Sequence, residues 1–206
     1  MSLAVECWAV GPLQVNCYVV HELGDAVIVD PGDEPDRIAA RCDELGVRVR
    51  AILLTHGHVD HITGVGRLAS RLSVPVVLSR AEHPLYFSTA NTVPPWLPAC
   101  ADLPTPVEAV PPTVPWTVQM IPTPGHTPGG TCYRIETDRV VFSGDTLFRE
   151  SVGRTDLPGG NEAALAESIR ECLLSLPDDT VVYPGHGPAT TVGHERAANP
   201  FLEPPP

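Results

Sequence analysis

The chain has 206 residues, 43% of them apolar, enough for one domain with a sizeable core and too apolar for disorder. Against 25 acidic residues stand 13 basic ones, and the net charge of −12 argues against general nucleic-acid binding. All 13 basic residues are arginine, which excludes Schiff-base chemistry and a phosphate-loop lysine.

In chain order, AVECWAV and NCYVVHE read as strands flanking the turn GPLQ. DAVIVDPG is a short buried strand ending in a turn. Asp33 is placed to cap a helix that has Pro35 in its first turn and stops at Gly46. VRAILLTH is a second buried strand, HITGVGRLASRL is helix-like despite two glycines, and VPVVLS returns as a strand. SRAE, from Ser79, has capping-box form. Residues 93–115 carry eight prolines and read as a long surface loop or lid, with an interdomain linker as the alternative. WTVQMIPTPG, GTCYRIE and DRVVFSGD read as three strands. Asn161 is placed to cap EAALAESIRECLLSL, in which Leu165, Ile169 and Cys172 form one helical stripe. TVVYPGHG is a final strand, and GHERAANPFL closes with a short helix. Two mixed sheets covered by helices suit this order.

Six cysteines (Cys7, Cys17, Cys42, Cys100, Cys132 and Cys172) are scattered without a C-x-x-C pair. The start, MSLAVECWAV, lacks the basic and long apolar regions of a signal peptide, and no apolar run approaches a membrane span. The expectation is a cytoplasmic protein with no membrane partner and no nucleic-acid partner, in which most thiols are small core residues.

The chemistry concentrates in LLTHGHVDHITG, Leu53 to Gly64. His56 and His58 are two apart at a strand end, so both can face one side. His58 and His61 have the spacing of neighbours on a helix turn, and Asp60 adds an anionic oxygen. One ion cannot easily take all four side chains from so short a segment; two adjacent ions can, given further ligands. Three candidates follow apolar strands: His126 in TPGHTPGG, Asp145 in VVFSGDTLF and His186 in VVYPGHGPATT. Taken singly, each is a turn residue. The cluster H-x-H-x-D-H has little packing value and points to metal. His21, His83 and His194 stand outside the set, and Tyr183 reads as a core strand residue.

THGHVDH, PGHTPG, SGDTLF and PGHG, in this order, resemble the metallo-β-lactamase superfamily from about Val10 to Leu202. Within it, GDTLFRESVGRTDLPGGN and PGHGPATTVGHERAANPFL resemble the short glyoxalase II-type hydrolases, which act on hydroxyacylglutathione and lack the extra C-terminal helical domain of longer enzymes. The resemblance implies a single domain over residues 1–206 and an α/β fold, an αββα sandwich of two mixed β-sheets flanked by helices. It implies two divalent metal ions, zinc first, with iron or manganese as alternatives. His56, His58 and His126 would hold the first, Asp60, His61 and His186 the second, and Asp145 would bridge them. Asp60, His58 and His186 are also given catalytic parts, Asp60 as orienter of the attacking water.

Two such ions lower the pKa of a shared water from ~15.7 towards roughly 7, so a hydroxide nucleophile is available near neutral pH. No G-x-S-x-G elbow is present. A thiolate of pKa around 8.5 leaves with little protonation, which fits a thioester such as S-lactoylglutathione and a small-molecule acyl-thiol partner. Arg149 and Arg154, just past Asp145, are the candidate contacts to an anionic thiol carrier.

DHITG and GRTD also resemble the persulfide dioxygenases of the same superfamily, which use one iron held by residues matching His56, His126 and Asp145. A lactonase or β-lactamase with the same metals is a third reading. A purely structural metal site is a fourth, and it fits poorly with a ligand set lacking cysteine.

Overall fold

The computed structural model describes residues 3–111 and 114–202 and divides into two compact units, Met1–Thr117 and Val118–Pro206. Residues 112–113, within the predicted proline-rich loop, lie outside the described residues.

The first unit contains β1 (Ala4–Val10), β2 (Val15–Glu22), β3 (Asp25–Val29), α1 (Pro35–Leu45), β4 (Arg48–Leu53), α2 (Val59–Ile62), α3 (Val65–Leu72), β5 (Val76–Val77) and α4 (His83–Tyr86). Its sheet has the order β1-β2-β3-β4-β5. The first three strands run antiparallel, with Trp8 opposite Cys17 and Val19 opposite Ile28. From β3 onward the pairing is parallel, with Val29 opposite Leu53 and Leu53 opposite Val77. A parallel neighbour needs a crossover, and α1 supplies it between β3 and β4. Alternate residues Cys17, Val19, Ile28, Ile52 and Leu54 bury one sheet face against Ile38, Ala39 and Cys42 of α1 and Leu68 of α3.

Pro35 presets the first turn of α1, and Gly46 ends it at φ 64 with its N–H on Asp43 and Cys42 carbonyls. The cap itself differs from expectation. Glu34 occupies the N-cap at φ 53, and Asp33 instead accepts a 2.7 Å bond from the Glu34 N–H. The stretch HITGVGRLASRL is two helices rather than one. The break falls at Gly64, whose N–H donates to the Pro31 carbonyl (3.0 Å) and where a Cβ would press on that oxygen. The capping box at Ser79 is not formed. Ser79 makes no side-chain cap bond, Arg80–Glu82 is a short 3₁₀ turn, and Glu82 is fully buried.

Within this unit the proline-rich stretch is tied down at several points. Tyr86 Oη donates to the Pro104 carbonyl (3.2 Å), and Val107 bridges to Val77 at the sheet edge.

The second unit contains β6 (Val118–Pro122), β7 (Thr131–Ile135), β8 (Val140–Gly144), β9 (Leu147–Phe148), β10 (Ser151–Val152), α5 (Glu162–Ser168), β11 (Val181–Pro184), β12 (Thr190–Thr191) and α6 (Val192–Ala198). Its main sheet has the order β12-β11-β8-β7-β6, parallel at β8–β11 and antiparallel elsewhere, while β9 and β10 form a small hairpin. Both main sheets are therefore mixed and helix-bearing, the α/β class expected.

Asn161 caps α5 as expected, accepting from the Ala164 N–H at 3.0 Å. The expected stripe fails at its last position. Residues Ile169–Leu173 form a π-helical turn, closed by the Leu174 N–H on the Ile169 carbonyl (2.8 Å). The extra residue in that turn brings Leu173, 0% exposed, onto the buried face beside Leu165 and Ile169, and leaves Cys172 partly exposed. Cys17, Cys42 and Cys132 are core residues as expected, but Cys7 is exposed and Cys100 is intermediate. Burial pushes the Cys42 thiol up to about 11. Among the described residues no helix is long and apolar enough to cross a membrane.

Candidate metal centre

In the first unit, β4 leads into the histidine-rich segment 56–61. Leu54 still follows the sheet edge, its N–H on the Val77 carbonyl, and the chain then leaves the sheet. His58 sits at the N-cap position of α2 with extended backbone (φ −62, ψ 145), so it ends the loop while Asp60 and His61 ride the first turn of the helix. The rings crowd together. The His56 and His58 centroids are 4.8 Å apart and nearly perpendicular, and those of His56 and His61 are 4.1 Å apart. His61 Nε2 lies 3.8 Å from Asp60 Oδ2. Gly32 lets this segment approach, since a Cβ there would overlap the Asp60 carbonyl oxygen.

A residue the sequence reading passed over organises these rings. Asp30, the first residue after β3, is 2% exposed and holds a left-handed backbone at φ 47. Its Oδ1 accepts from the Thr55 N–H (2.8 Å), and its Oδ2 accepts from Thr55 Oγ1 (2.6 Å) and lies 3.0 Å from His61 Nδ1. Because the Thr55 hydroxyl gives its proton to Asp30, it accepts from His56 Nδ1, 3.0 Å away. One carboxylate thus places the proton of both imidazoles on Nδ1 and leaves Nε2 as the electron-pair donor, directly for His61 and through Thr55 for His56. The signal for it was in the sequence: Asp30 ends an apolar strand before Pro-Gly, as Asp145 follows an apolar strand and Ser-Gly.

In the second unit, His126 follows β6 in a turn whose Gly125 has φ 140 and packs against Leu165 of α5, where a Cβ would collide. His126 is 4% exposed, and its Nδ1 donates to the Arg154 carbonyl oxygen at 2.7 Å. A carbonyl only accepts, so the proton is on Nδ1 here as well. Asp145 follows β8, and its Oδ2 lies 3.7 Å from His126 Nε2 and 3.7 Å from His186 Nε2. His186 follows β11 and presents its ring edge-on to Phe148, 6.4 Å away. Gly153 brings the chain after β10 back across Asp145; a Cβ there would overlap the Asp145 carbonyl oxygen.

Three of the five histidines therefore have Nδ1 tied to an acceptor and Nε2 aimed elsewhere, the arrangement found around metal-ligating imidazoles. The donor set fits a divalent ion, and each of the seven residues predicted from sequence belongs to a His/Asp cluster able to hold one.

The two arginines differ. Arg154 meets the site through its backbone, as acceptor for His126. Its guanidinium makes a two-pronged pair with Asp156, 2.7 Å on each arm, and both side chains are exposed. That hydrogen-bonded guanidinium lowers the Asp156 carboxyl to about 2. Arg149 is exposed at the tip of the β9–β10 hairpin. Tyr183 stacks on Phe142 in the sheet, with centroids 5.2 Å apart.

The family model of the metallo-beta-lactamase superfamily matches residues 10–186. The hydroxyacylglutathione hydrolase GloC of Haemophilus influenzae is 34% identical over 215 residues, covering 96% of this chain and 97% of that protein. The crystal structure of TTHA1623 in a di-iron-bound form is 42% identical with a TM-score of 0.85, covering 96% of this chain and 100% of that one. The crystal structure of ETHE1 from Myxococcus xanthus is 29% identical with a TM-score of 0.76, covering 96% of this chain and 83% of that one.

Proposed function

Because the chain belongs to the metallo-β-lactamase superfamily, we propose that it hydrolyses a thioester of a small acid and a glutathione-type thiol at a centre of two divalent ions. His56, His58 and His126 would hold one ion, Asp60, His61 and His186 the other, and Asp145 both. When bound, the ions supply Lewis acidity and an acidified water. The observation that carries a two-ion reading is His61. It is fully buried, and Asp30 fixes its proton on Nδ1, an arrangement that serves Nε2 as a ligand and that a centre built on His56, His126 and Asp145 alone does not use.

The residues of the chain then have separate tasks. Asp30, Thr55 and the Arg154 carbonyl hold the protons of His61, His56 and His126 on Nδ1. Asp60 would orient the attacking water, and His58 and His186 would take part in catalysis from their places among the ligands. A thiolate leaving group needs no proton from the chain, so the scarcity of an obvious general acid is no obstacle. Arg154 would grip the anionic carrier by exchanging Asp156 for a substrate carboxylate, with Arg149 as a second cation. Support for the thioester comes from the full-length likeness to a hydroxyacylglutathione hydrolase.

The ETHE1 likeness supports a second reading, an iron-dependent persulfide dioxygenase on His56, His126 and Asp145. A kinetic panel on metal-quantified protein separates the two: acyl-glutathione thioesters, lactones, a β-lactam and glutathione persulfide, with oxygen uptake recorded. Thioester turnover with no oxygen uptake is expected. Oxygen uptake with the persulfide, and one iron per chain, would sink the hydrolase reading.

A further inference from the structure

The ligand segment has to leave a strand and enter a helix within a few residues, so few of its peptide groups can join a ladder or a helix. Buried peptide groups in that position need side chains to satisfy them. Two residues from beyond β5 do so. Glu82 Oε2 accepts from the Gly57 N–H at 2.8 Å. Asn91 Nδ2 donates to the Gly57 carbonyl at 2.7 Å and to the Leu85 carbonyl at 3.2 Å, while Asn91 Oδ1 accepts from the Val59 N–H at 3.0 Å. Both are buried, Glu82 at 0% and Asn91 at 7% exposure. Gly57 is fitted to them. A Cβ there would lie 3.1 Å from Tyr86 N and 3.3 Å from Glu82 Oε2.

Three consecutive residues are thereby held from both sides: Gly57 at its N–H and carbonyl, Val59 at its N–H, with His58 between them. A buried carboxylate is expensive to keep where an apolar residue would fill the space. Here it accepts from the peptide that separates two imidazoles.

We propose that Glu82 and Asn91 are positioning residues: by clamping the Gly57–Val59 backbone they set the separation and direction of His56 and His58 towards a shared ion. This rests on the metal reading above. Neither residue belongs to a His/Asp group able to hold an ion. Their effect reaches the site through the peptide that carries the ligands, and it ties the 80–91 segment to that geometry.

The test is cobalt(II) titration of the metal-free full-length protein, followed by visible absorption, with urea unfolding of the metal-free form measured in parallel. Glu82→Ala and Asn91→Ala are expected to weaken cobalt binding roughly 10- to 100-fold and to change the absorption band of the bound ion. Glu82→Gln keeps an acceptor for the Gly57 N–H and is expected to stay within about threefold of the parent, because a neutral acceptor bonds the amide less strongly than a carboxylate but in the same place. If the alanine variants fail to fold, Asn91→Asp serves, since it keeps the Val59 bond and loses the donor to Gly57; it should bind cobalt roughly tenfold more weakly. Parental affinity and spectrum in the variants, with only the urea midpoint lowered, would overturn the proposal and leave these residues as fold stabilisers. A parent that binds no cobalt would overturn the metal reading, and the clamp with it.

Discussion

Replacing Asp30 by asparagine tests how the imidazoles are poised. Asparagine tolerates the left-handed backbone at φ 47 and preserves the volume, so the fold around it should survive. The carbonyl oxygen of the new amide can still accept from the Thr55 N–H. Its nitrogen, however, now faces two donors, Thr55 Oγ1 and His61 Nδ1. The conflict resolves only if the Thr55 hydroxyl turns to accept and His61 offers a lone pair at Nδ1, which moves its proton to Nε2. Once Thr55 accepts from the introduced amide, its own proton points at His56 Nδ1, and that ring is driven into the same wrong tautomer. Exchanging a charge-assisted bond of about 1.5–3 kcal/mol for a neutral one of about 0.5–1.5 costs the metal-free fold on the order of 1–2 kcal/mol. Loss of such a supporting bond lowers metal affinity roughly 10- to 100-fold, or about 1.4–2.7 kcal/mol. Long-range proton–nitrogen NMR of the metal-free protein reads the tautomers, and zinc titration against a competing chelator reads the affinity. The reasoning is refuted if Asp30→Asn keeps both rings protonated at Nδ1 and binds zinc as the parent does.

Arg154→Ala should leave metal content unchanged, because the backbone carbonyl that holds His126 remains, while KM for an anionic thioester rises roughly threefold to a hundredfold and kcat changes less; a short uncharged thioester is the control and should show no penalty. In the same variant Asp156, at about 2 in the parent, should return towards its ordinary value of 3.8 by NMR titration. The sign follows: a depressed folded pKa contributes stability above the unfolded value, and that contribution disappears as pH falls from about 4 through about 2. Asp145→Ala should lose more metal than Asp60→Ala, by elemental analysis, since the former is proposed to serve both ions; loss of a single ion in each would contradict the bridge. Leu173→Ala should cost about 2–5 kcal/mol in urea unfolding and Cys172→Ala less than about 1, whereas an unbroken α-helix would reverse that order.

The candidate metal ligands could be named from sequence because they are local and punctuated. His56, His58, Asp60 and His61 share one segment, and His126, Asp145 and His186 each follow an apolar strand, so type and position were enough. The longer strands and the caps at Asn161 and Gly46 were legible for the same reason, each being announced by neighbours in sequence. Glu82 was not. S-x-x-E reads as a capping box whether the carboxylate turns back on its own helix or inward to a distant peptide, and only the fold decides which. The π-turn at Ile169–Leu173 was equally hidden, since a regular period cannot announce one inserted residue. The two-residue strands β9, β10 and β12 are too short for alternation to show. Arg154 was singled out for its guanidinium, yet its carbonyl holds His126, and no side-chain pattern encodes a backbone acceptor.

Each unit opens its main sheet with three antiparallel strands and adds a fourth parallel to the third across a helical crossover: β1, β2, β3 and β4 in one, β6, β7, β8 and β11 in the other. In both, the first residue beyond the third strand is an aspartate, Asp30 or Asp145, and histidine follows the fourth. The twin aspartates have divergent assignments all the same: Asp30 is spent on Thr55 and His61, while Asp145 faces His126 and His186. Variation at equivalent places in the two halves therefore carries unequal consequences, and a substitution tolerated in one half is no guide to its counterpart in the other.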